Sequence, residues 1–194
     1  MAQPFTNEQR DAIRRRLFES AKRHAIAAGP QKTSLDTLTS EAGISKSSFY
    51  KFYETKEQLF LEVAGRWEEE IIGAAMHSLR RSEGKSSKER ASAFVFTAFE
   101  TVHQMGIVRF MRDDLPYLSA FIPGEAARMH TLNSARTIFE SLRGAGIRFT
   151  QPDERVLSVI QLMYLSILNI RDIGSGFFPA LHTLVESACD KLVA

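Results

Sequence analysis

Apolar positions recur at helical spacing along almost the whole chain. Ile13, Leu17, Ala21 and Ala25 stand four apart, which puts them on one face of a helix. The pattern predicts a first helix over about 8–28, stopped by Gly29-Pro30. A short second helix over 35–42 follows, with Ser34 placed to accept the orphan N–H groups of its first turn and Gly43 suited to the left-handed conformation that ends it. Ser45 caps a third short helix over 46–52. At Thr55 the run Thr-Lys-Glu-Gln has the spacing of a capping box, in which the side chains of residues 55 and 58 bond each other's backbone N–H. Leu59, Phe60, Val63, Trp67, Ile71 and Ala75 carry that fourth helix to about residue 79. A polar connection over 81–87 precedes a fifth helix over 88–104, which should bury Phe94, Val95, Ala98, Phe99 and Val102. Gly and Pro then punctuate helices over about 107–111, 124–142, 153–170 and 177–193. No alternating β-branched run and no internal repeat interrupts this pattern, so the chain is expected to be all-α.

Composition narrows the function classes. With 194 residues, 44% of them hydrophobic and 25% charged, the chain can bury a core and is not disordered. The first eighteen residues never assemble the apolar run of a secretory signal, so a cytoplasmic location is expected. The most apolar stretch, 156–170, is interrupted by Ser158, Gln161, Ser166 and Asn169 and falls short of the about 20 apolar residues that span a bilayer. No membrane partner is expected. Cys189 is the single cysteine, and the five histidines show no ligand spacing, so neither an intrachain disulfide nor a metal site is expected. An enzyme would need a nucleophile, an acid/base pair or a metal cluster. Asp113-Asp114 and scattered His form none, so no catalytic residue and no cofactor is expected.

Two short helices joined by Gly43-Ile44-Ser45 and backed by a longer one match the helix-turn-helix, whose second short helix enters the DNA major groove. The same arrangement also serves proteins that touch no nucleic acid, so a helical adaptor is the rival reading. Charge favours DNA. Residues 1–56 hold ten Lys/Arg against six Asp/Glu, or +4, and the remaining 138 hold 15 against 17, or −2; the net +2 is a cancellation. A basic module on a slightly acidic body is the electrostatic footprint of one end meeting phosphate. Lys46, Ser47 and Ser48, behind Ser45 in the first turn of the third helix, lie nearest the base edges. Lys56 adds a positive side chain to a positive helix N-terminus, and Thr33 or Ser34 offers a hydroxyl and N–H groups at the start of the second helix; both combinations suit a phosphate. Phe49, Phe52 and Tyr53 are expected to pack rather than read DNA.

The residues Thr33-Ser34-Leu35, then Ala42-Gly43-Ile44-Ser45-Lys46-Ser47-Ser48-Phe49-Tyr50-Lys51-Phe52-Tyr53, then Lys56-Glu57-Gln58-Leu59-Phe60 resemble the TetR (tetracycline-repressor-like) family of bacterial transcriptional regulators over roughly residues 10–62. Four positions depart from the family pattern: His24-Ala25 stands for Leu-Phe, Pro30 for an aromatic residue and Ser47 for Gly. The resemblance implies a helix-turn-helix DNA-binding domain over 1–55 and a helical effector-binding and dimerisation domain over 56–194. It implies that the Tyr50 hydroxyl reaches a phosphate, with Lys51 beside it. The function implied is that of a regulator, a repressor released from a pseudo-palindromic operator by a small-molecule effector.

Reading a pseudo-palindrome in double-stranded DNA calls for a dimer with two recognition helices one helical turn of DNA apart. The helix over 153–170 is apolar on almost every face, through Val156, Ile160, Met163, Tyr164, Leu165 and Ile167 among others, and the last helix offers Phe177, Leu181, Leu184, Val185 and Leu192. The family pairs these last two helices across a homodimer axis. Phe99, His103, Phe110, Tyr117, Phe121, Met129, Asn133 and Tyr164 fit either ordinary core or an apolar effector pocket with polar anchors. Cys189 fits either a symmetric interchain disulfide or a buried reduced thiol.

Overall fold

A computed structural model describes residues 5–194, with the backbone alone for 126–132. The chain is 77% helical, and the described residues form no strand beyond an isolated antiparallel bridge between Phe149 and Val193. The α-helices are α1 (Asn7–Ala27), α2 (Leu35–Ala42), α3 (Lys46–Phe49), α4 (Lys56–Arg81), α5 (Ser87–Gln104), α6 (Leu115–Ser119), α7 (Gly124–Gly144), α8 (Asp153–Ile167), α9 (Ile170–Ile173) and α10 (Phe177–Leu192). The all-α expectation holds.

The differences from the sequence reading have local causes. Helix α3 stops at Phe49, and the chain to Phe52 continues in i→i+3 turns, Lys51 N–H donating to Ser48 and Phe52 N–H to Phe49. At the start of α4, Thr55 Oγ1 accepts from Gln58 N–H, but the Gln58 side chain reaches back one residue further, to Glu54 N–H at 2.9 Å. A complete capping box stands instead at Ser86 and Glu89, opening α5. Helix α8 ends before 170 because Asn169 Nδ2 takes the Leu165 carbonyl at 2.9 Å, the acceptor its own amide would need to continue the helix. Phe110–Asp114 winds as a π-helix. There Leu115 N–H reaches Phe110 O, and Pro116 has no N–H to offer the preceding turn.

The chain forms two compact units. The first comprises the residues up to Trp67 together with Arg109–Ile122; the second comprises Glu68–Val108 and Pro123–Ala194. In the first, α1 packs on α2 and α2 on α3, and the buried residues include Leu17, Leu38, Phe49, Leu59, Phe60, Phe110 and Leu118. Ile13, Ala21 and Ala25 are buried with Leu17, as the four-residue spacing requires. In the second, α10 packs on α5 and α8, burying Phe94, Phe99, Val156, Ile167, Leu181 and Val185.

Candidate nucleic-acid interface

The helix-turn-helix is assembled by caps. Ser34 precedes α2 in extended conformation, its Oγ accepting from Thr37 N–H at 3.0 Å. Gly43 ends α2 with φ 70°, and Ile44 N–H returns to Thr39 O at 3.0 Å, the reversed hydrogen bond of a left-handed helix end. Ser45 caps α3 by accepting from Ser48 N–H, with the Ser47 and Ser48 hydroxyls 2.9 and 3.1 Å from its own. One turn on, Phe49 is fully buried and its ring stacks at a tilt on Tyr53, 5.6 Å away. That anchor leaves Ser45, Lys46, Ser47, Tyr50 and Lys51 exposed and Ser48 half-buried. Tyr50 is 60% exposed, with its ring edge-on to Phe49 at 5.8 Å.

The basic side chains divide between surface and framework. Lys46 Nζ pairs with Asp36 at 2.8 Å, and Lys51 Nζ lies 5.5 Å over the Phe5 ring. Lys56 is half-buried, and its ammonium donates to Pro30 O and Thr33 O, both at 2.8 Å. It therefore straps the α1–α2 loop to the start of α4, with a third N–H proton left for another acceptor. Thr33 corrects the sequence reading. It is buried, its hydroxyl donating to Gly29 O at 2.7 Å, because a hydroxyl four residues on satisfies the carbonyl at the helix stop. Of the two hydroxyls proposed for phosphate, Ser34 alone lies on the surface.

Two side-chain clusters escaped the sequence reading. Glu41 of α2 accepts from Ser20 at 2.6 Å, from Arg23 at 2.8 Å and meets His24 Nε2 at 2.9 Å. The Ser20 hydrogen bond, then that of His24, pulls its carboxyl from an ordinary 4.5 down to about 2. Ser20, Arg23 and His24 share one face of α1 by their spacing, which is the signal that could have found the site. On α4, Glu62 Oε2 accepts from both Arg14 at 2.9 Å and Tyr53 at 3.0 Å. Burial, then Glu62, pushes the Tyr53 hydroxyl up to about 12.

The segment Arg109–Ile122 closes on the same framework. Arg109 donates to Ala25 O at 2.7 Å and Ile26 O at 3.2 Å, the orphan carbonyls at the end of α1, and to Asp114 at 3.1 Å. Asp114 is buried, which raises its pKa against the opposing pull of Arg109. Its carboxylate oxygens lie 2.6 and 2.7 Å from where a Cβ on Gly29 would stand. Tyr117 donates to buried Glu57 at 3.0 Å, and Phe110 packs edge-on to Trp67 at 5.0 Å.

Residues 17–63, from mid-α1 through the helix-turn-helix into α4, match the family profile described as bacterial regulatory proteins, tetR family. The chain carries a TetR-family DNA-binding domain. Solved structures resemble nearly its full length. A TetR family transcription regulator from Marinobacter aquaeolei VT8 is 19% identical over 97% of this chain and 99% of that one, at a TM-score of 0.65. A TetR-family transcriptional regulator from Pectobacterium atrosepticum is 18% identical over 96% and 94%, at 0.62. A protein from Mesorhizobium loti MAFF303099 is 19% identical over 96% of both chains, at 0.65. At such identities the likeness establishes the fold. No curated protein sequence matches the chain. The family profile thus falls on the helix-turn-helix and its flanking helices, residues 17–63, and the solved structures share the fold of the rest of the chain.

The residues considered for an effector divide between the two units. Phe110, Tyr117 and Phe121 belong to the first unit; Phe99, His103, Asn133 and Tyr164 belong to the second. Phe99 and Phe110 are buried, Tyr117 and Tyr164 half-buried, and His103, Phe121 and Asn133 exposed. The Met129 side chain lies outside the described residues. The His103 ring meets Phe178 at 5.0 Å. A cavity of about 40 Å³ in the second unit is lined instead by apolar side chains including Phe94, Leu142, Val156, Met163, Val185 and the buried thiol of Cys189. It is far smaller than the roughly 300–1,000 Å³ of small-molecule sites. Among the described residues no group of His, Cys, Asp and Glu is placed to hold a metal, and no single helix is long and apolar enough to cross a membrane.

Proposed function

We propose that the chain is a cytoplasmic homodimeric repressor that binds a pseudo-palindromic operator through α3 and is released by a small-molecule effector. The observation that carries this reading is the exposed edge of α2 and α3: Ser34, Ser45, Lys46, Ser47, Tyr50 and Lys51 stand outward over a buried Phe49. Small hydroxyls let the backbone approach bases and phosphates, and Tyr50 and Lys51 reach the flanking backbone. Ser48 and the remaining proton of Lys56 complete the set of contacts. The DNA-reading part is the segment 1–55, and residues 56–194 sense the effector and dimerise.

Dimerisation through α8 and α10 is supported by exposed apolar side chains on both: Leu162 at 67%, Leu165 at 54% and Leu184 at 55%. Exposed leucines on two helices that pack together supply apolar surface that a second subunit would cover. Phe99, His103, Phe110, Tyr117, Phe121, Met129, Asn133 and Tyr164 are the residues proposed to contribute to effector binding. Release requires the effector to bind more tightly to the dimer that does not fit DNA. The test selects duplexes from a random pool with the full chain and then screens compounds for release of the selected site. A two-fold-symmetric selected sequence supports the reading; failure to enrich any sequence overturns it.

A further inference from the structure

We infer that Asp36 is a specificity-determining residue that acts by neutralising Lys46, and so holds down the protein's affinity for DNA of the wrong sequence. The inference rests on the DNA-binding reading above. Lys46 occupies the first helical position of α3, the place from which a recognition helix meets base edges. Its ammonium is drawn across to Asp36 in the first turn of α2, Nζ to Oδ2 at 2.8 Å. Both side chains are open to solvent, Lys46 at 53% and Asp36 at 73%.

An exposed ion pair of this kind does little for the fold. Its consequence is electrostatic. The other carboxylates of the helix-turn-helix are engaged elsewhere, Glu41 by Ser20, Arg23 and His24 and Glu54 by Gln58. Asp36 is the one joined to a cation of the recognition helix. While the pair holds, Lys46 brings no net positive charge toward phosphate and releases no counterion on binding, so it adds nothing to sequence-independent affinity. A cytosine amino group at the right position gives the carboxylate a donor and frees the ammonium.

The experiment compares wild type, Asp36→Asn, Lys46→Ala and the double variant, all as full chains, for binding to the selected duplex and to an unrelated duplex of equal length across a salt series. With Asp36→Asn, binding to the unrelated duplex strengthens several-fold, and the slope of log K against log salt steepens by about 0.9 for each phosphate newly neutralised. The preference for the selected duplex falls. In the Lys46→Ala background the same change of Asp36 leaves the slope unaltered, an outcome that a helix-end effect of residue 36 alone would not produce. An unchanged slope in the single variant, or an equal increase with Lys46 absent, overturns the inference. Absence of any preference in wild type would overturn the DNA-binding reading instead.

Discussion

The ammonium of Lys56 touches two carbonyls of the α1–α2 loop, while Tyr50 is 60% exposed; the two residues should separate cleanly in experiment. Lys56→Ala leaves the carbonyls of two buried residues, Pro30 and Thr33, without their charged donor and should cost about 1–3 kcal/mol of stability as well as duplex affinity. Tyr50→Ala should weaken duplex binding with stability unchanged within about 0.5 kcal/mol. Thermal unfolding run beside binding titrations checks both, and equal destabilisation by the two changes would contradict the assigned roles. Glu41 predicts a pH effect. Its folded pKa is depressed to about 2 from 4.5, so its contribution is fully present above about pH 4.5 and is lost as pH falls through about 2. The stability gap between wild type and Glu41→Gln, measured by denaturant titration at successive pH values, should narrow over that window and close below it. The surface hydroxyls and lysines of this site were legible in the sequence because caps and first turns are local. The burial of Thr33 and the capture of Glu41 were not, since each depends on what a loop or another helix brings close.

Among the elements, Gly29 and Gly43 both end helices with positive φ, 87° and 70°. A Cβ on Gly43 would meet nothing within 4 Å, whereas one on Gly29 would collide with the Asp114 carboxylate at 2.6 Å. Gly43→Ala should therefore cost only the left-handed backbone term, about 1–2 kcal/mol. Gly29→Ala should cost clearly more, because a carboxylate held by Arg109 must also be displaced. In an Asp114→Ala background the added cost of Gly29→Ala should shrink toward the Gly43 value, a non-additivity expected of groups in contact. Urea unfolding of the three single variants and the Gly29/Asp114 double variant decides this; strict additivity would rule out the collision. Both glycines were readable as helix stops. The second role of Gly29 was not, and neither was the π-helix at Phe110–Asp114, whose i→i−5 hydrogen bond no apolar periodicity announces.

For the whole molecule, the exposed leucines of α8 and α10 predict that Leu165→Glu combined with Leu184→Glu gives a folded monomer. A carboxylate at each position would be buried against its symmetry mate, at a cost that an exposed monomer face escapes. Sedimentation should show the shift, circular dichroism should show retained helix, and operator affinity should fall by orders of magnitude because one half-site is lost. A doubly substituted chain that remained dimeric would place the interface elsewhere. The +4 and −2 division of charge was present in the sequence as a sum, and the α2 span with its Ser34 cap, the Gly43 turn and the Ser45 cap were present because they arise from residues within about one helical turn of each other. Tertiary structure alone decided that Arg109–Ile122 joins the compact unit that holds the helix-turn-helix, that Lys56 and Arg109 bind backbone carbonyls, and that Asp36 meets Lys46. Those are contacts between different elements, from ten to 84 residues apart, and no local periodicity encodes which partner a carbonyl or a surface carboxylate will find.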